Sequence, residues 1–274
     1  MDGADLHYET TGSGPSVVLI QGSGVAGSGW APQVAPLSKD FRCLSFDNRG
    51  IGKSTIREQA LSIEQMAEDA RALMDALGWE SAHLVGHSMG GLIAQQLALD
   101  IPKRIRSLAL LCTFTKGPEA ARITPQTLWL GLRTYVGTAA MRRRAFLKML
   151  FPDDFVKREG AEDLARRVGS VIGRDLASNP PILMKQLAAM KRYDSSQRFA
   201  ELAAIPSLVA SAEHDPIALP KYGRELSRLI PKSRFVEVPN ASHGVTIQMP
   251  ERVNEMLRLH FDRAGVSRDP GSRE

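Results

Sequence analysis

The chain has 274 residues, of which 43% are hydrophobic, and its formal net charge is +5. This length fits one α/β domain with an insertion, and the hydrophobic share excludes global disorder. The densest basic runs, 142–144 and 166–167, are too short for a nucleic-acid-binding arm, so we interpret them as solvated helix faces. Neither a leader peptide nor a membrane-spanning apolar run is apparent, so we expect a cytoplasmic protein with no membrane partner.

Short apolar runs bounded by turn residues alternate with helix-like stretches in the first part of the chain. Near-continuous apolar strands between helices are typical of a parallel sheet that is covered on both faces. The strands predicted here are 17–21, 41–46, 82–86 and 105–111.

The helix predicted before Leu77 has a complete set of helix signals. Ser62 can cap its first turn, and Gln65 completes a capping box. Apolar residues then recur at three- and four-residue steps and form one buried stripe. Gly78 suits the position that follows the last helical residue.

The pattern changes after Thr113, and from about residue 116 to 200 we predict helices with proline breaks. Strands return at 206–212 and 234–238, followed by a last helix at about 250–262. The prediction is an α/β fold with a mostly parallel central sheet flanked by helices and a helical cap inserted into it. The predicted boundaries are 1–115 and 201–264 for the α/β core, 116–200 for the cap, and 265–274 for a flexible tail.

The two cysteines, Cys43 and Cys112, lie in apolar runs that resemble buried strands. Neither has CxxC or Cys/His spacing, so we expect no metal site and no disulfide framework. We interpret both as reduced thiols in the core.

The strongest local signal is a G-x-S-x-G segment, Gly86 to Gly90, between a predicted strand and a helical run. A turn that presents a nucleophile at this point needs small neighbours, which explains Gly86, Gly90 and Gly91. The hydroxyl of Ser88 would project above the sheet, and the dipole of the next helix would face a developing oxyanion. The alternative is a glycine-rich turn that happens to contain a serine.

A serine hydroxyl needs a base, and His243 lies in a loop directly after the strand 234–238. Asp215 follows the strand before it and could orient the imidazole, with Glu213 as the fallback. The other histidines fit less well, and the side chain of His87 is expected to point away from the nucleophile. A surface histidine and a turn aspartate are the alternatives for these two positions.

The chain resembles an α/β-hydrolase over nearly its whole length. The matching segments are GSGPSVVLIQGSG, FDNRGIGKS, LVGHSMGG, SAEHDPIALP and NASHGVTIQMPERV. The order nucleophile, acid, base is also that of the family. The resemblance implies that Ser88, Asp215 and His243 form a catalytic triad, and that the backbone N–H groups of Ser23 and Met89 form the oxyanion hole. It implies neither a metal nor an organic cofactor.

The sequence departs from the family pattern in two places. Gln21 and Gly22 stand where such families usually have His-Gly. A glutamine can also hydrogen-bond the loop, so we expect activity to survive. Relatives often have an additional strand before the first one of this chain, and the sequence leaves open whether an N-terminal segment precedes it.

Two glycine-rich segments resemble nucleotide-binding motifs. Residues 22–27 read G-x-G-x-x-G after a strand, and Asp47 follows some twenty residues later, as in a dinucleotide-binding fingerprint. However, Pro32 and Pro36 disfavour the long helix that this fingerprint needs. Residues 50–54 resemble the end of a phosphate loop, but that loop requires glycine where this chain has Asp47. A dinucleotide-binding protein is kept as an alternative.

The predicted cap is expected to supply an apolar pocket for a small-molecule substrate. For each apolar residue of the cap, the alternative is a place in the cap's own core. The pocket candidates are Trp129, Leu132, Tyr135, Phe146 and Leu150, from a set that also includes Leu128, Met149, Phe151, Ile182, Leu183 and Met184.

The predicted function is hydrolysis of a carboxylic ester or lactone of a small, largely apolar substrate through an acyl-enzyme. A C–C bond hydrolase and a cofactor-free haloperoxidase are alternatives on the same triad. A ligand receptor of the same fold with slow turnover is the alternative from another class. The sequence leaves the oligomeric state open.

Overall fold

The computed structural model describes residues 4–56, 61–122 and 124–266. Within these ranges one seven-stranded sheet has the spatial order β1-β3-β2-β4-β5-β6-β7. Strand β1 pairs antiparallel with β3, and the other described pairings are parallel. The strands are β1 Tyr8–Thr11, β2 Ser16–Ile20, β3 Arg42–Phe46, β4 Ala82–His87, β5 Ile105–Leu111, β6 Ser207–Ala212 and β7 Arg234–Val238.

The predicted α/β class with a mostly parallel sheet is confirmed. The bounds of β2 to β7 agree with the six predicted strands to within one residue, whereas no bounds were predicted for β1. The α-helices of the described ranges are α1 Ala31–Leu37, α2 Ile63–Ala76, α3 Met89–Asp100, α4 Pro125–Arg133, α5 Ala139–Leu150, α6 Asp153–Glu159, α7 Ala161–Ile172, α8 Ile182–Arg192, α9 Pro220–Leu229, α10 Val245–Gln248 and α11 Pro250–Val266. Short 3₁₀ segments lie at Gly27–Trp30, Pro102–Arg104, Gly117–Ala121 and Ser196–Ala204.

Helix α2 begins and ends where its sequence signals predict. The N–H of Gln65 donates to the hydroxyl of Ser62 at 3.1 Å, which satisfies one of the N–H groups that the first turn leaves free. Gly78 has a φ of 67°, a left-handed conformation that ends a helix with little strain in a residue without Cβ. The apolar side chains of α2 are buried in the same hydrophobic core as the strands of the sheet.

The sheet and its flanking helices share one large hydrophobic core. Strands β4 and β5 lie at its centre and are almost fully buried, as expected for parallel strands covered on both faces. Trp30 and Trp79 also belong to this core. The sheet therefore holds the loops at its carboxyl edge on a rigid base.

The described part of 116–200 contains α4 to α8 and no strand, so we call it the helical segment. It has a hydrophobic cluster of its own, the second core, in which α5, α6 and α7 pack together. The buried members of the second core are Leu147, Phe151, Val156, Leu164, Ala165, Val168, Ile172 and Leu176.

None of the described helices is long and apolar enough to cross a membrane. The predicted flexible tail, 265–274, lies outside the described residues from residue 267 onward.

Candidate active site

Ser88 is the single residue between β4, which ends at His87, and α3, which begins at Met89. Its backbone has a φ of 55° and a ψ of −122°, a combination that costs a non-glycine residue about 1–3 kcal/mol. Two hydrogen bonds hold it there: Ser88 N–H donates to the carbonyl of Leu111 at 3.0 Å, and the Thr113 hydroxyl donates to the Ser88 carbonyl at 2.6 Å. Neighbouring strand ends thus fix the strained turn.

The glycines around Ser88 are required by space. A Cβ on Gly86 would overlap the carbonyl of Gly90, and a Cβ on Gly90 would overlap the carbonyl oxygen of Ile20. A Cβ on Gly91 would overlap the side chain of Thr113. The backbone therefore passes so close to its neighbours at these three positions that only glycine fits.

The structure brings Ser88, His243 and Asp215 together in one hydrogen-bonded row. His243 Nε2 lies 3.1 Å from Ser88 Oγ, and His243 Nδ1 lies 2.7 Å from Asp215 Oδ2. The other carboxylate oxygen accepts hydrogen bonds from the N–H groups of Ile217 and Ala218, both at 2.8 Å. Because an ionised carboxylate only accepts, Nδ1 carries the proton and the Nε2 lone pair faces the serine hydroxyl.

The fallback acid, Glu213, lies elsewhere. Its carboxylate accepts a hydrogen bond from the N–H of Asn240 at 2.9 Å, and its side chain is partly exposed. The neighbouring His214 is also exposed. Of the carboxylates considered from sequence, Asp215 alone contacts His243.

The thiol of Cys112 is a neighbour of the Asp215 carboxylate. Burial and the nearby negative charge of Asp215 raise the pKa of Cys112 well above its usual value. Burial also raises the pKa of Cys43, to about 11. Both thiols therefore stay protonated, as expected for inert core cysteines.

His87 supports the loop that carries His243, a role that sequence reasoning did not assign. Its Nε2 donates to the backbone carbonyl of His243 at 2.9 Å, and the two rings lie 4.9 Å apart between centroids. Burial and the adjacent His243 lower the pKa of His87 to about 3. The ring is therefore a neutral donor that holds the loop in place.

The loop after β2 approaches the nucleophile closely. A Cβ on Gly22 would lie 3.0 Å from the Cβ of Ser88 and 3.5 Å from its Oγ. In the described part of the chain, the N–H of Ser23 donates no hydrogen bond to protein. The N–H of Met89 belongs to the first residue of α3, where N–H groups have no intrahelical acceptor. Both predicted oxyanion donors are therefore available to a ligand oxygen.

Gln21 hydrogen-bonds the same loop, as predicted for a residue that replaces the usual histidine. Its Oε1 accepts from the N–H of Gly22 at 3.2 Å, and its backbone carbonyl accepts from Nδ2 of Asn48 at 3.0 Å. The turn after β3 therefore also stabilises the loop.

The helical segment packs against both loops that flank Ser88. On one side, the N–H of Gly244 donates to the Leu150 carbonyl at 2.8 Å, and a Cβ on Gly244 would lie 2.6 Å from the Phe151 ring. On the other side, Nε of Arg174 donates to the Gly24 carbonyl at 3.0 Å. The segment thus connects the loop after β7 to the loop after β2.

Three of the five predicted pocket residues lie on the surface. Trp129, Leu132 and Tyr135 are 59%, 54% and 52% exposed, so they do not form a closed pocket wall. The reason lies in α4, which docks through Thr127, whose hydroxyl donates to the Pro216 carbonyl at 2.9 Å. Leu128, Trp129 and Leu132 of α4 therefore face outward, and Tyr135, which follows the helix, is exposed as well.

The other two predicted pocket residues pack against the second core. Phe146 and Leu150 are both partly buried there. The guanidinium of Arg174 also lies over the Phe146 ring, 5.1 Å from its centroid. Sequence reasoning expected these side chains to line a pocket, whereas the structure gives them contacts within the helical segment.

The two glycine-rich segments that resemble nucleotide-binding motifs, 22–27 and 50–54, are hydrogen-bonded to the same aspartate. The Asp47 carboxylate accepts hydrogen bonds from the N–H of Gly27 at 2.7 Å and from the N–H of Lys53 at 2.9 Å. It therefore joins the two glycine-rich segments to each other. The helix after the first segment, α1, has 7 residues and contains Pro36, as its sequence predicts. In the described ranges, no cluster of His, Cys, Asp and Glu side chains is arranged to hold a metal ion.

A family model and a relative of known sequence both match most of this chain. The sequence model for the α/β hydrolase fold matches residues 15–250. A protein of Caulobacter vibrioides named "Putative carbamate hydrolase RutD" is 32% identical over 266 residues, which cover 92% of this chain and 93% of that protein.

Solved structures agree with this sequence match. The enol-lactonase of Burkholderia xenovorans LB400 is 30% identical with a TM-score of 0.78, over 95% of this chain and 98% of that chain. The structure titled "Putative non-heme bromoperoxidase BpoC", from Mycobacterium tuberculosis H37Rv, is 27% identical with a TM-score of 0.81, over 95% and 96% of the two chains. The chain belongs to the α/β-hydrolase fold family.

Proposed function

We propose that this protein is a serine hydrolase that cleaves a carboxylic ester or lactone of a small, largely apolar substrate. The observation that carries the proposal is the row of contacts from Asp215 to His243 at 2.7 Å and from His243 to Ser88 at 3.1 Å. The serine stands at the tip of a strained turn, and its base is oriented by a buried carboxylate. This is the arrangement that activates a serine hydroxyl for acyl transfer.

In the first step, Oγ of Ser88 attacks the carbonyl carbon of the substrate while Nε2 of His243 accepts the hydroxyl proton. Asp215 keeps the imidazole in the correct tautomer and stabilises the imidazolium. The carbonyl oxygen becomes an oxyanion, which accepts hydrogen bonds from the N–H groups of Ser23 and Met89. Such donors contribute several kcal/mol because they bind the charge that develops only in the transition state.

The first tetrahedral intermediate then collapses: the bond between the carbonyl carbon and the leaving oxygen breaks, the imidazolium of His243 gives its proton to that oxygen, and the acyl group stays on Ser88. The second half of the reaction begins with water. His243 then accepts a proton from a water molecule that attacks the acyl carbon. Collapse of the second tetrahedral intermediate releases the acid and restores the serine hydroxyl. For a lactone, the acid and the alcohol leave as one molecule.

The helical segment serves as the cap in this proposal. Leu183 of α8 lies against Gly24 of the loop after β2, and Ile182 lies against Gly50. These contacts place aliphatic side chains over the loops around Ser88, which favours an apolar substrate and limits the access of water. They also make α8, rather than α4, the helix that we expect to touch the substrate.

The similar proteins support this reaction class and define the assay panel. The similarity to an enol-lactonase favours ester and lactone bonds. Other similar proteins are named for carbamate hydrolysis and for bromoperoxidation, so a carbamate and a peroxide-dependent bromination assay belong in the same panel.

The proposal is tested with a fluorophosphonate probe and p-nitrophenyl acetate and butyrate. Ser88→Ala should lose both labelling and turnover, and His243→Gln should lower kcat at least about 10³-fold. His214→Gln is the matched control, because this histidine is exposed and near the same loop, and it should behave as the wild type. Labelling of Ser88 without turnover would favour a slow ligand receptor. A wild-type protein that is not labelled contradicts the proposal.

A further inference from the structure

Gln186 of α8 is fully buried and hydrogen-bonded to the loop that carries a predicted oxyanion donor. Its Oε1 accepts from the hydroxyl of Ser23 and from the N–H of Gly24, both at 2.9 Å. Because a backbone N–H can only donate, these contacts identify the accepting atom of the amide as oxygen. One side-chain oxygen of the helical segment thus holds two successive residues of the loop.

The loop is held from a second direction by the same segment. Nε of Arg174 donates to the Gly24 carbonyl at 3.0 Å, so both backbone polar groups of Gly24 have partners in the helical segment. Gly24 has a φ of 71°, a left-handed conformation that these bonds help to fix. The peptide that links Ser23 to Gly24 therefore has one orientation. The N–H of Ser23 belongs to the preceding peptide, whose Gly22 carbonyl accepts from the N–H of Val25 at 3.4 Å, and this N–H remains available.

The other end of the Gln186 amide shows that this residue is more than a packing element. Its Nε2 is buried and has no hydrogen-bond acceptor in the described part of the chain. A buried donor without an acceptor costs free energy, which an unbranched apolar side chain of similar length would avoid. A glutamine at this position is therefore explained by the use of its oxygen.

We propose that Gln186 is a positioning residue that couples the docking of α8 to the formation of the oxyanion hole. The inference rests on the proposed function. When α8 is seated, Oε1 of Gln186 holds both the side chain of Ser23 and the peptide that follows it, and so fixes the residue whose N–H we expect to meet the carbonyl oxygen as it becomes charged. When α8 moves away, the loop loses both bonds, so the hole is complete only when the segment covers the site.

The test compares two glutamines that are both fully buried with half of their amide unpaired. Gln186→Met removes the acceptor from the loop. Gln95→Met is the matched control, because Gln95 of α3 bonds only the Phe114 carbonyl. We measure kcat and KM for p-nitrophenyl butyrate, and the inhibition constant of a trifluoromethyl ketone, whose adduct places an oxyanion in the hole.

We expect Gln186→Met to lower kcat about 10- to 100-fold and to change KM less than threefold, because a misplaced oxyanion donor acts on the transition state alone. The inhibition constant of the ketone should rise by a similar factor. Gln95→Met should keep the wild-type kcat. Ser23→Ala, which removes one of the two bonds from the loop side, should lower kcat two- to fivefold, and it gives the same readout if Gln186→Met does not fold.

Three outcomes overturn the inference. The first is a Gln186→Met variant with the kcat of the wild type or of Gln95→Met. The second is a rise in KM with an unchanged kcat, which would mean that Gln186 acts only on substrate binding. The third is a wild-type protein that is not labelled at Ser88 by the fluorophosphonate, and in that case the proposed function fails first.

Discussion

The carboxyl edge of the sheet and the helical segment differ in how tightly their main chain is packed. Around Ser88, backbone approaches backbone so closely that Gly86 and Gly90 have no room for a Cβ, and the side chain of Thr113 leaves none at Gly91. The helical segment has a smaller core of its own and leaves Leu132 and other apolar side chains exposed on α4. The geometry of the nucleophile is thus fixed by main-chain packing, whereas the surface that meets a substrate is formed by side chains that can vary.

The largest effect should come from adding one methyl group at the sheet edge. Gly90→Ala would push a Cβ into the main-chain carbonyl of Ile20, so we expect a loss of about 3 kcal/mol or more in the free energy of unfolding. Gly131→Ala, in α4, meets no atom within 4 Å and should be neutral or stabilise by up to about 1 kcal/mol. Chemical denaturation of both variants measures the difference. Equal effects would remove the distinction between the two regions.

A smaller effect should separate the two cores. Leu147→Ala in the second core and Leu84→Ala in β4 remove the same atoms from fully buried sites, at a cost of about 2–5 kcal/mol each. Hydrogen exchange should show faster opening of α5 and α7 alone in the first variant, and of the sheet in the second. If Leu147→Ala accelerates exchange in β4 as much as in α5, the helical segment does not open on its own.

The smallest expected effect is on the pH dependence of stability. Histidine titration in the helical segment does not contribute to it, because residues 116–200 contain no histidine. Burial lowers the pKa of His260 from 6.5 to about 4, and its Nε2 donates to the Leu108 carbonyl at 3.1 Å. As the pH falls, the unfolded chain takes up this proton first. The stability that neutral His260 confers is therefore present above about pH 6.5 and is lost as the pH falls towards 4.

His260→Gln keeps a donor for the Leu108 carbonyl and removes this titration. The loss of stability between pH 7.5 and 4.5 should shrink by about 2 kcal/mol, as measured by urea unfolding at each pH. The exposed His214→Gln variant is the control and should keep the wild-type slope. An unchanged slope in His260→Gln would place the acid sensitivity in another group, with His87 as the first to examine.

The sheet and the row of Ser88, His243 and Asp215 were accessible from sequence for a physical reason. Buried parallel strands are short apolar runs, and a turn between strand and helix needs glycines at fixed spacing. The candidate base and acid follow strands directly, so strand prediction places them at the same sheet edge. The prediction required only local patterns and the rule that parallel strands end together.

The helical segment was less predictable because its important contacts are not local. Gln186 bonds residues more than 160 positions earlier in the chain, and no periodicity marks such a pair. The apolar spacing of Trp129 and Leu132 correctly indicates one helix face, but it does not say what that face covers. In this case α4 docks through Thr127, and the apolar face is left to solvent.

The exposure of Trp129 gives the two regions separate optical signals. Of the 3 tryptophans, Trp30 and Trp79 lie in the core of the sheet, and Trp129 lies on the outer face of α4. A soluble quencher such as acrylamide therefore reaches the emission of Trp129 in the native protein and leaves that of the other two until the sheet unfolds. Steady-state fluorescence of the unlabelled protein can thus follow the helical segment and the sheet independently.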